Sequence, residues 1–315
     1  MKLKTRSLFF ACRGGIAIIS AVTLLATVCL ARDDEKTLVP TSAAPASASA
    51  PTAPVTPGQL KITQNIPYVT GGGERQMLDV YANPDPKAPL VIWIHGGGWV
   101  GGSKSPCPAV VLLNRGFSVA SINYRFSKTA KFPAQIEDCK AAVRYLRAHA
   151  RELGINGDII GVAGASAGGH LVSLLGVTGN IKTFDVGENL DQSSAVQAVV
   201  NIVGPSDLAR FDGYPNKGIT KVVEDLIGGP LKANAEKAKA GSPITYITKD
   251  APPFINLYGK KDDIVPYEQG EILDKALKDA GVDTTLKVYP EGTHSLPQES
   301  GKLMLDFLEK HLLKK

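Results

Sequence analysis

From about residue 60 onward, short apolar runs rich in β-branched residues alternate with longer stretches whose apolar residues recur at helical spacing. The strand-like runs cover residues 76–81, 90–95, 117–123, 159–164, 198–203, 254–258 and 284–289, with 62–69 as an antiparallel edge. Two of them, LVIWIH and IIGVAG, are almost continuously apolar, the pattern of a strand covered on both faces. Residues 134–153 carry Ile136, Cys139, Val143 and Leu146 on one helical face. Further helices are predicted at 166–177, at 267–280, where Gly281 supplies a stop, and at 303–313. The alternation predicts an α/β fold, with a mostly parallel, doubly wound sheet flanked by helices. Residues 205–250 break the rhythm with several Gly and Pro and no clear strand. They predict a small cap-like insertion over the carboxyl edge of the sheet, where doubly wound folds bind ligands.

The first sixty residues follow neither pattern. Lys2, Lys4, Arg6 and Arg13 precede an apolar run at 16–30, and no acidic residue appears before Asp33. This is the layout of a secretory signal, with cleavage expected after Ala31. The run is interrupted by Ser20 and Thr23 and is too short for a spanning helix. A lipoprotein signal, with Cys29 acylated and the protein held on a membrane, is the alternative. Residues 40–58 read PTSAAPASASAPTAPVTPG, with no charge and too little apolar surface to offset the entropy of ordering. Three parts are therefore expected: a signal at 1–31, a flexible linker at 32–59, and a catalytic body at 60–315. The chain would be exported, secreted or periplasmic.

Charge and cysteines change little. The formal net charge of +5 over 315 residues falls to +1 once the four cations of the signal are removed. No basic, aromatic-interleaved stretch remains to engage nucleic acid. Cys107 and Cys139 remain after cleavage; export would permit a bridge between them, and spacing alone leaves it open. No pair of histidines has metal-ligand spacing, so neither a metal nor a cofactor is called for.

The candidate chemistry lies at strand ends. Gly164-Ala165-Ser166-Ala167-Gly168 is a G-x-S-x-G motif after an apolar strand and before a helix, the context in which a sharp turn exposes a nucleophilic serine. His95-Gly96-Gly97-Gly98-Trp99 ends another apolar strand. Acyl transfer builds up an oxyanion that needs N–H donors, and the amides of Gly97, Gly98 and Ala167 are the candidates. His95 is expected to anchor this loop by hydrogen bonds, and Trp99 to contact substrate. Asp262 and Asp263 follow one strand and His294 follows the next, giving the chain order Ser…Asp…His. His294 would take the serine proton and return it to the leaving alcohol, with a carboxylate fixing its tautomer. Asp207 is an outside candidate for that carboxylate, better suited to cap the segment after it. His170 is expected to pack beneath the serine's helix, and His149 and His311 to be solvated.

At these residues the chain resembles the HGGGW-type esterase/lipase branch of the α/β-hydrolases, and most of all bacterial carboxylesterase and feruloyl-esterase-like proteins associated with polysaccharide breakdown. The resemblance covers residues 60–312 and is detailed in ASINYRFS, FPAQIEDCKAAVRYLR and GVAGASAGGHLVSLLG. The family's pattern G-x-x-D-x-x-V-P falls on Gly259, Asp262, Val265 and Pro266, which implies Asp262 as the acid and leaves Asp263 in solvent. It also implies an α/β-hydrolase fold and suggests an Arg125–Asp138 ion pair. Ala165 stands where lipase-like relatives usually carry an acidic residue, which argues for a smaller cap. The implied activity is serine-dependent hydrolysis of short acyl or hydroxycinnamoyl esters (acetyl, feruloyl) of plant cell-wall polysaccharide. A general short-chain carboxylesterase and an amide-cleaving relative are the competing enzymes. A binding protein on an inactive scaffold would lack a member of the serine, acid and histidine set, and all three are present.

Overall fold

The computed structural model describes residues 59–313. The export signal, Cys29 and all but the last residue of the linker lie outside the described residues.

Among the described residues eight strands form one sheet: β1 (Lys61–Pro67), β2 (Met77–Ala82), β3 (Leu90–Ile94), β4 (Ser118–Ile122), β5 (Ile160–Ala165), β6 (Ala198–Ile202), β7 (Phe254–Gly259) and β8 (Thr284–Tyr289). Their order is β1-β2-β4-β3-β5-β6-β7-β8. The pairings of β2 with β1 and with β4 are antiparallel, and from β4 across to β8 every pairing is parallel. Among the described residues seven helices accompany them: α1 (Ala134–Ala148), α2 (Ala150–Leu153), α3 (Ala167–Thr178), α4 (Lys217–Ile227), α5 (Ala235–Ala240), α6 (Glu268–Asp279) and α7 (Glu299–Leu312). The central strands β3 and β4 are buried at every residue, as their unbroken apolar runs require. The edge strand β8 alternates half-buried and exposed positions over most of its length. On the other edge, β1 loses register between Thr63 and Ile66, with Asn65 at φ 57°, which disrupts an edge that could otherwise pair with another chain.

Side chains alternate across the sheet and separate two cores. Leu90, Ile92 and Ile94 of β3 pack with Ile136 and Val143 of α1, Leu171 and Leu175 of α3 and Leu273 of α6. Val91 and Trp93, one residue out of phase, pack on the other face with Leu112 and with Phe307, Leu308 and Leu312 of α7. Cys139 belongs to the first core and Cys107 to the second, and both are free thiols. The bridge that the spacing left open is not formed, because the sheet stands between the two residues.

The stretch expected as one helix at 134–153 is two, since the chain leaves helical geometry at His149 (φ −104°, ψ 14°) and α2 then ends on left-handed Gly154. Residues 205–250 hold α4, α5 and short 3-10 turns, and no strand. Asn216 caps α4 by accepting from the amides of Gly218 and Ile219. The segment is docked firmly. The Leu226 carbonyl accepts from the Phe132 amide at 2.9 Å. Buried Gln269 accepts from the amides of Ser206 and Asp207 at 2.8 Å each and donates to the Asp207 carbonyl at 3.1 Å.

Candidate active site

Ser166 occupies the turn between β5 and α3 with φ 56° and ψ −119°, a conformation that costs a non-glycine residue about 1–3 kcal/mol. Its surroundings hold it there. The Ser166 amide donates to the Ile202 carbonyl at 2.8 Å. A Cβ on Gly168 would lie 2.0 Å from the Ile94 carbonyl oxygen, so only glycine lets α3 start this close to β3. The two glycines of G-x-S-x-G are thus clearances, and the serine between them is pushed outward, half-buried.

His294, on the loop after β8, places Nε2 3.0 Å from Ser166 Oγ and Nδ1 2.8 Å from Asp262 Oδ2. The Asp262 side chain is fully buried, and its other oxygen accepts from the amides of Ile264 and Val265 at 2.9 and 3.0 Å. An ionised carboxylate only accepts, so Nδ1 of His294 carries the hydrogen and Nε2 is free to accept from the serine hydroxyl. The neighbouring Asp263 is exposed, and its backbone carbonyl accepts from Asn216 Nδ2 at 3.0 Å. Asp207 caps its own turn by accepting from the Ala209 amide at 3.1 Å and pairs with Arg210 at 3.4 Å. Of the three candidate acids, Asp262 alone meets the histidine.

The glycine loop lies directly against this turn: a Cβ on Gly96 would come within 2.8 Å of the Ala165 carbonyl and 3.3 Å of Ser166 Cβ. Gly97 has φ 100°, and a Cβ there would fall 2.4 Å from the Gly101 carbonyl, which requires glycine. Its own carbonyl accepts from the amides of Val100 and Gly101, both at 3.0 Å, closing the loop. Among the described residues the amides of Gly97 and Gly98 have no acceptor. Ala167 opens α3, so its amide is among those a helix leaves without an intrahelical partner.

Trp99 corrects the sequence reading. It is 1% exposed, with its ring edge-on to His170 at 5.2 Å between centroids. Positive φ at both Gly98 (58°) and Trp99 (59°) turns the indole into the core beneath the loop, so it does not line the cleft. His170 is fully buried and donates from Nε2 to the Gly241 carbonyl at 2.7 Å; burial pushes its pKa down to about 4. His311 is also less solvated than expected: its side chain is 12% exposed and tilts onto Phe307. His149 is half-exposed, stacked on Tyr145 and paired with Glu152. The Arg125–Asp138 pair is present, with Nε 2.9 and 3.0 Å from the two carboxylate oxygens.

One supporting cluster escaped the sequence reading. Asn201 of β6 accepts from the Gly204 amide at 3.0 Å and donates to Asn256 Oδ1 and Tyr258 Oη, each at 3.0 Å. The Tyr258 hydroxyl in turn donates to the Gly204 carbonyl. This fixes residues 202–204, where Ile202 receives the Ser166 amide and Val203 is held at φ 47°. An asparagine inside the apolar run VVNIV was the available signal, since a buried amide must find partners.

Sheet order, the strained serine turn and the Ser166–His294–Asp262 arrangement at the carboxyl ends of β5, β8 and β7 define an α/β-hydrolase. The chain belongs to the BD-FAE family of α/β-hydrolase esterases, whose family profile matches residues 78–277. It is 35% identical over 231 residues to the esterase LipQ of Mycobacterium tuberculosis, covering 70% of this chain and 54% of LipQ. It is similar to the truncated form of a carbohydrate esterase from gut microbiota, with 31% identity and a TM-score of 0.76 over 84% of this chain and all of that one. A bifunctional GH43-CE protein of Bacteroides eggerthii matches with 34% identity and a TM-score of 0.74, over 79% of this chain and 38% of its own. The chain spans about half the length of the curated relatives it matches.

Proposed function

We propose that this protein is a serine carboxylic-ester hydrolase working through an acyl-enzyme. The observation that carries the reading is the continuous relay from Ser166 Oγ through the His294 ring to buried Asp262, at 3.0 and 2.8 Å. Ser166 Oγ bonds to the ester carbonyl carbon while its proton passes to His294 Nε2. The tetrahedral oxyanion accepts from the amides of Gly97, Gly98 and Ala167. As the carbon–oxygen bond to the alcohol breaks, His294 returns that proton to the departing oxygen, leaving the acyl group on Ser166. Water then repeats the sequence, with His294 again as base, and releases the acid. Asp262 stays ionised throughout and stabilises the imidazolium.

The proposed substrates are short acyl or hydroxycinnamoyl esters of plant cell-wall polysaccharide. The similarity to carbohydrate esterases supports this. So does a groove of about 470 Å³ beyond Asp262, lined by Arg210, Tyr214, Lys260, Pro266, Tyr267 and Glu268. His294 must reach the leaving oxygen, so the alcohol lies on the His294 side of Ser166, and Asp262, which lines the groove, is the acid that His294 contacts. Tyrosine rings beside charged side chains suit an alcohol with both apolar faces and hydroxyls. A second cavity, of about 400 Å³ near Arg147 and Asn156, lies at the amino ends of the strands, away from this chemistry. The basic and apolar N-terminus supports export, which would bring the enzyme to such polymers.

Ser166→Ala should abolish turnover of p-nitrophenyl acetate and labelling by a fluorophosphonate while leaving the fold intact. Activity or labelling that survives would overturn the assignment of the nucleophile. Each methylene buried on binding is worth about 0.8 kcal/mol, so a lipase gains as the acyl chain lengthens. Here kcat/KM should be highest on acetyl, other short acyl or hydroxycinnamoyl esters and fall by octanoate. A rise towards octanoate refutes the polysaccharide-esterase reading.

A further inference from the structure

Arg75 lies in the short 3-10 turn Glu74–Gln76 between β1 and β2, in a stretch with no catalytic signature. Its guanidinium nevertheless reaches three points around the glycine loop. Nη1 donates to the Gly102 carbonyl at 3.2 Å, Nε to the Tyr124 carbonyl at 3.3 Å, and Nη2 lies 3.1 Å from His95 Nε2. The group rests on the Phe126 ring, 3.8 Å from its centroid. A guanidinium has only donors, so His95 Nε2 must accept. The hydrogen of the neutral ring is therefore on Nδ1, which donates to the Gly96 carbonyl at 2.7 Å. Burial, with the charge of Arg75 adding to it, pushes the His95 pKa down to about 4, so the ring is neutral near pH 7.

The Gly96 carbonyl shares one planar, trans peptide with the Gly97 amide, and in such a unit C=O and N–H point in opposite directions. A carbonyl held inward by His95 therefore turns the Gly97 N–H outward. Tyr124 reinforces this orientation: its ring stacks on His95 at 4.5 Å, and its hydroxyl lies 3.1 Å from the His95 carbonyl and 3.3 Å from that of Gly96. With the hydrogen on Nε2 instead, the Nδ1 lone pair would face the Gly96 oxygen at 2.7 Å, and the ring or the peptide would have to rotate.

We propose that Arg75 is a positioning residue for the oxyanion donor: it selects the Nδ1–H form of His95, which fixes the Gly96–Gly97 peptide and aims the Gly97 amide into the cleft. This rests on the esterase reading above. Arg75 itself touches no reacting atom.

Arg75→Met should lower kcat by about 10–100-fold with KM little changed, less than the roughly 100–1,000-fold cost of deleting such a donor. Affinity for a trifluoromethyl ketone, whose adduct with Ser166 carries the oxyanion, should fall by the same factor as kcat/KM. Arg75→Lys, which can still donate to Nε2, should recover most of the loss. Nitrogen NMR of labelled histidine in the wild-type protein should show His95 protonated at Nδ1, and the Met variant should lose that preference. Three results would overturn the proposal: wild-type kcat in Arg75→Met, a kcat loss with unchanged affinity for the ketone, or Nε2–H on wild-type His95. Should Arg75→Met not fold, the wild-type spectrum and Arg75→Lys decide. Absence of ester turnover in the wild type would sink the esterase reading, while the tautomer would still be measured independently.

Discussion

In an Asp262→Asn variant the carboxamide keeps the shape of the acid but must choose which end faces which partner. One Asp262 oxygen takes the amides of Ile264 and Val265 at 2.9 and 3.0 Å, and only the carboxamide oxygen can replace it there. The NH2 group is then left facing His294 Nδ1 across the 2.8 Å contact. Nδ1 has to become an acceptor, the hydrogen moves to Nε2, and the atom 3.0 Å from Ser166 Oγ can no longer take a proton. A wrong-tautomer histidine in such a relay costs about four orders of magnitude in turnover, equivalent to about 5 kcal/mol of barrier. The fold should survive, because every hydrogen bond of residue 262 keeps a partner. Burst and steady-state kinetics on p-nitrophenyl acetate, with circular dichroism as the control, measure the loss. Asp263→Asn in parallel should stay near wild type, since that side chain is exposed and has no role in the relay. An Asp262→Asn enzyme within tenfold of wild type, or a large loss confined to Asp263→Asn, would refute the reasoning.

Two further outcomes concern stability. Burial holds His95 and His170 at a pKa of about 4, against about 6.5 for an unperturbed imidazole. The unfolded chain therefore binds more protons between those values, so the stability these two rings confer should be complete above about pH 6.5. It should be lost on acidification towards pH 4, by up to about 3 kcal/mol per ring, and level off below; urea unfolding that is independent of pH across this window contradicts it. Lys104→Met should cost about 3–5 kcal/mol by leaving the fully buried Asp79 carboxylate without the ammonium that contacts it at 2.6 Å. A loss under about 1 kcal/mol in the same unfolding assay would show that the pair does not hold β2 to the loop after β3.

The proposed reacting residues were legible because each stands just past a strand end beside a glycine: Ser166 after β5, Asp262 three residues past Gly259, His294 two past Gly292. Choosing Asp262 over Asp263 needed the spacing to Val265, and the structure supplies its physical meaning, since that amide is one of the two that hold the carboxylate. Trp99 was misread because an aromatic beside a glycine loop suits a cleft wall and a core equally; the backbone turn at Gly98 and Trp99 decides, and residue types do not reveal it. Cys107 and Cys139 fall on opposite faces of the sheet, which depends on how the 3-10 stretch Pro108–Arg115 and α1 dock onto it rather than on their separation along the chain. Helix α7 begins at Glu299, four residues before its apolar periodicity becomes visible. Arg75 carried no signal, because its partners are two backbone carbonyls and a ring nitrogen contributed by distant loops.

Helix α4 has a bearing on how this scaffold can be altered. Its capping residue Asn216 grips the backbone of Asp263, beside the buried acid. One turn and a half further on, a Val222 methyl would sit 3.0 Å from a Cβ placed on Gly98. A single surface helix therefore abuts both the acid loop and the glycine loop. Under the proposed mechanism, engineers who trim, lengthen or graft this segment to admit a different alcohol would shift the supports of proton transfer and of anion capture together. On that reading selectivity and rate are mechanically coupled, and directed evolution of the cap should return variants in which a change of preferred ester arrives with a change in turnover on every ester.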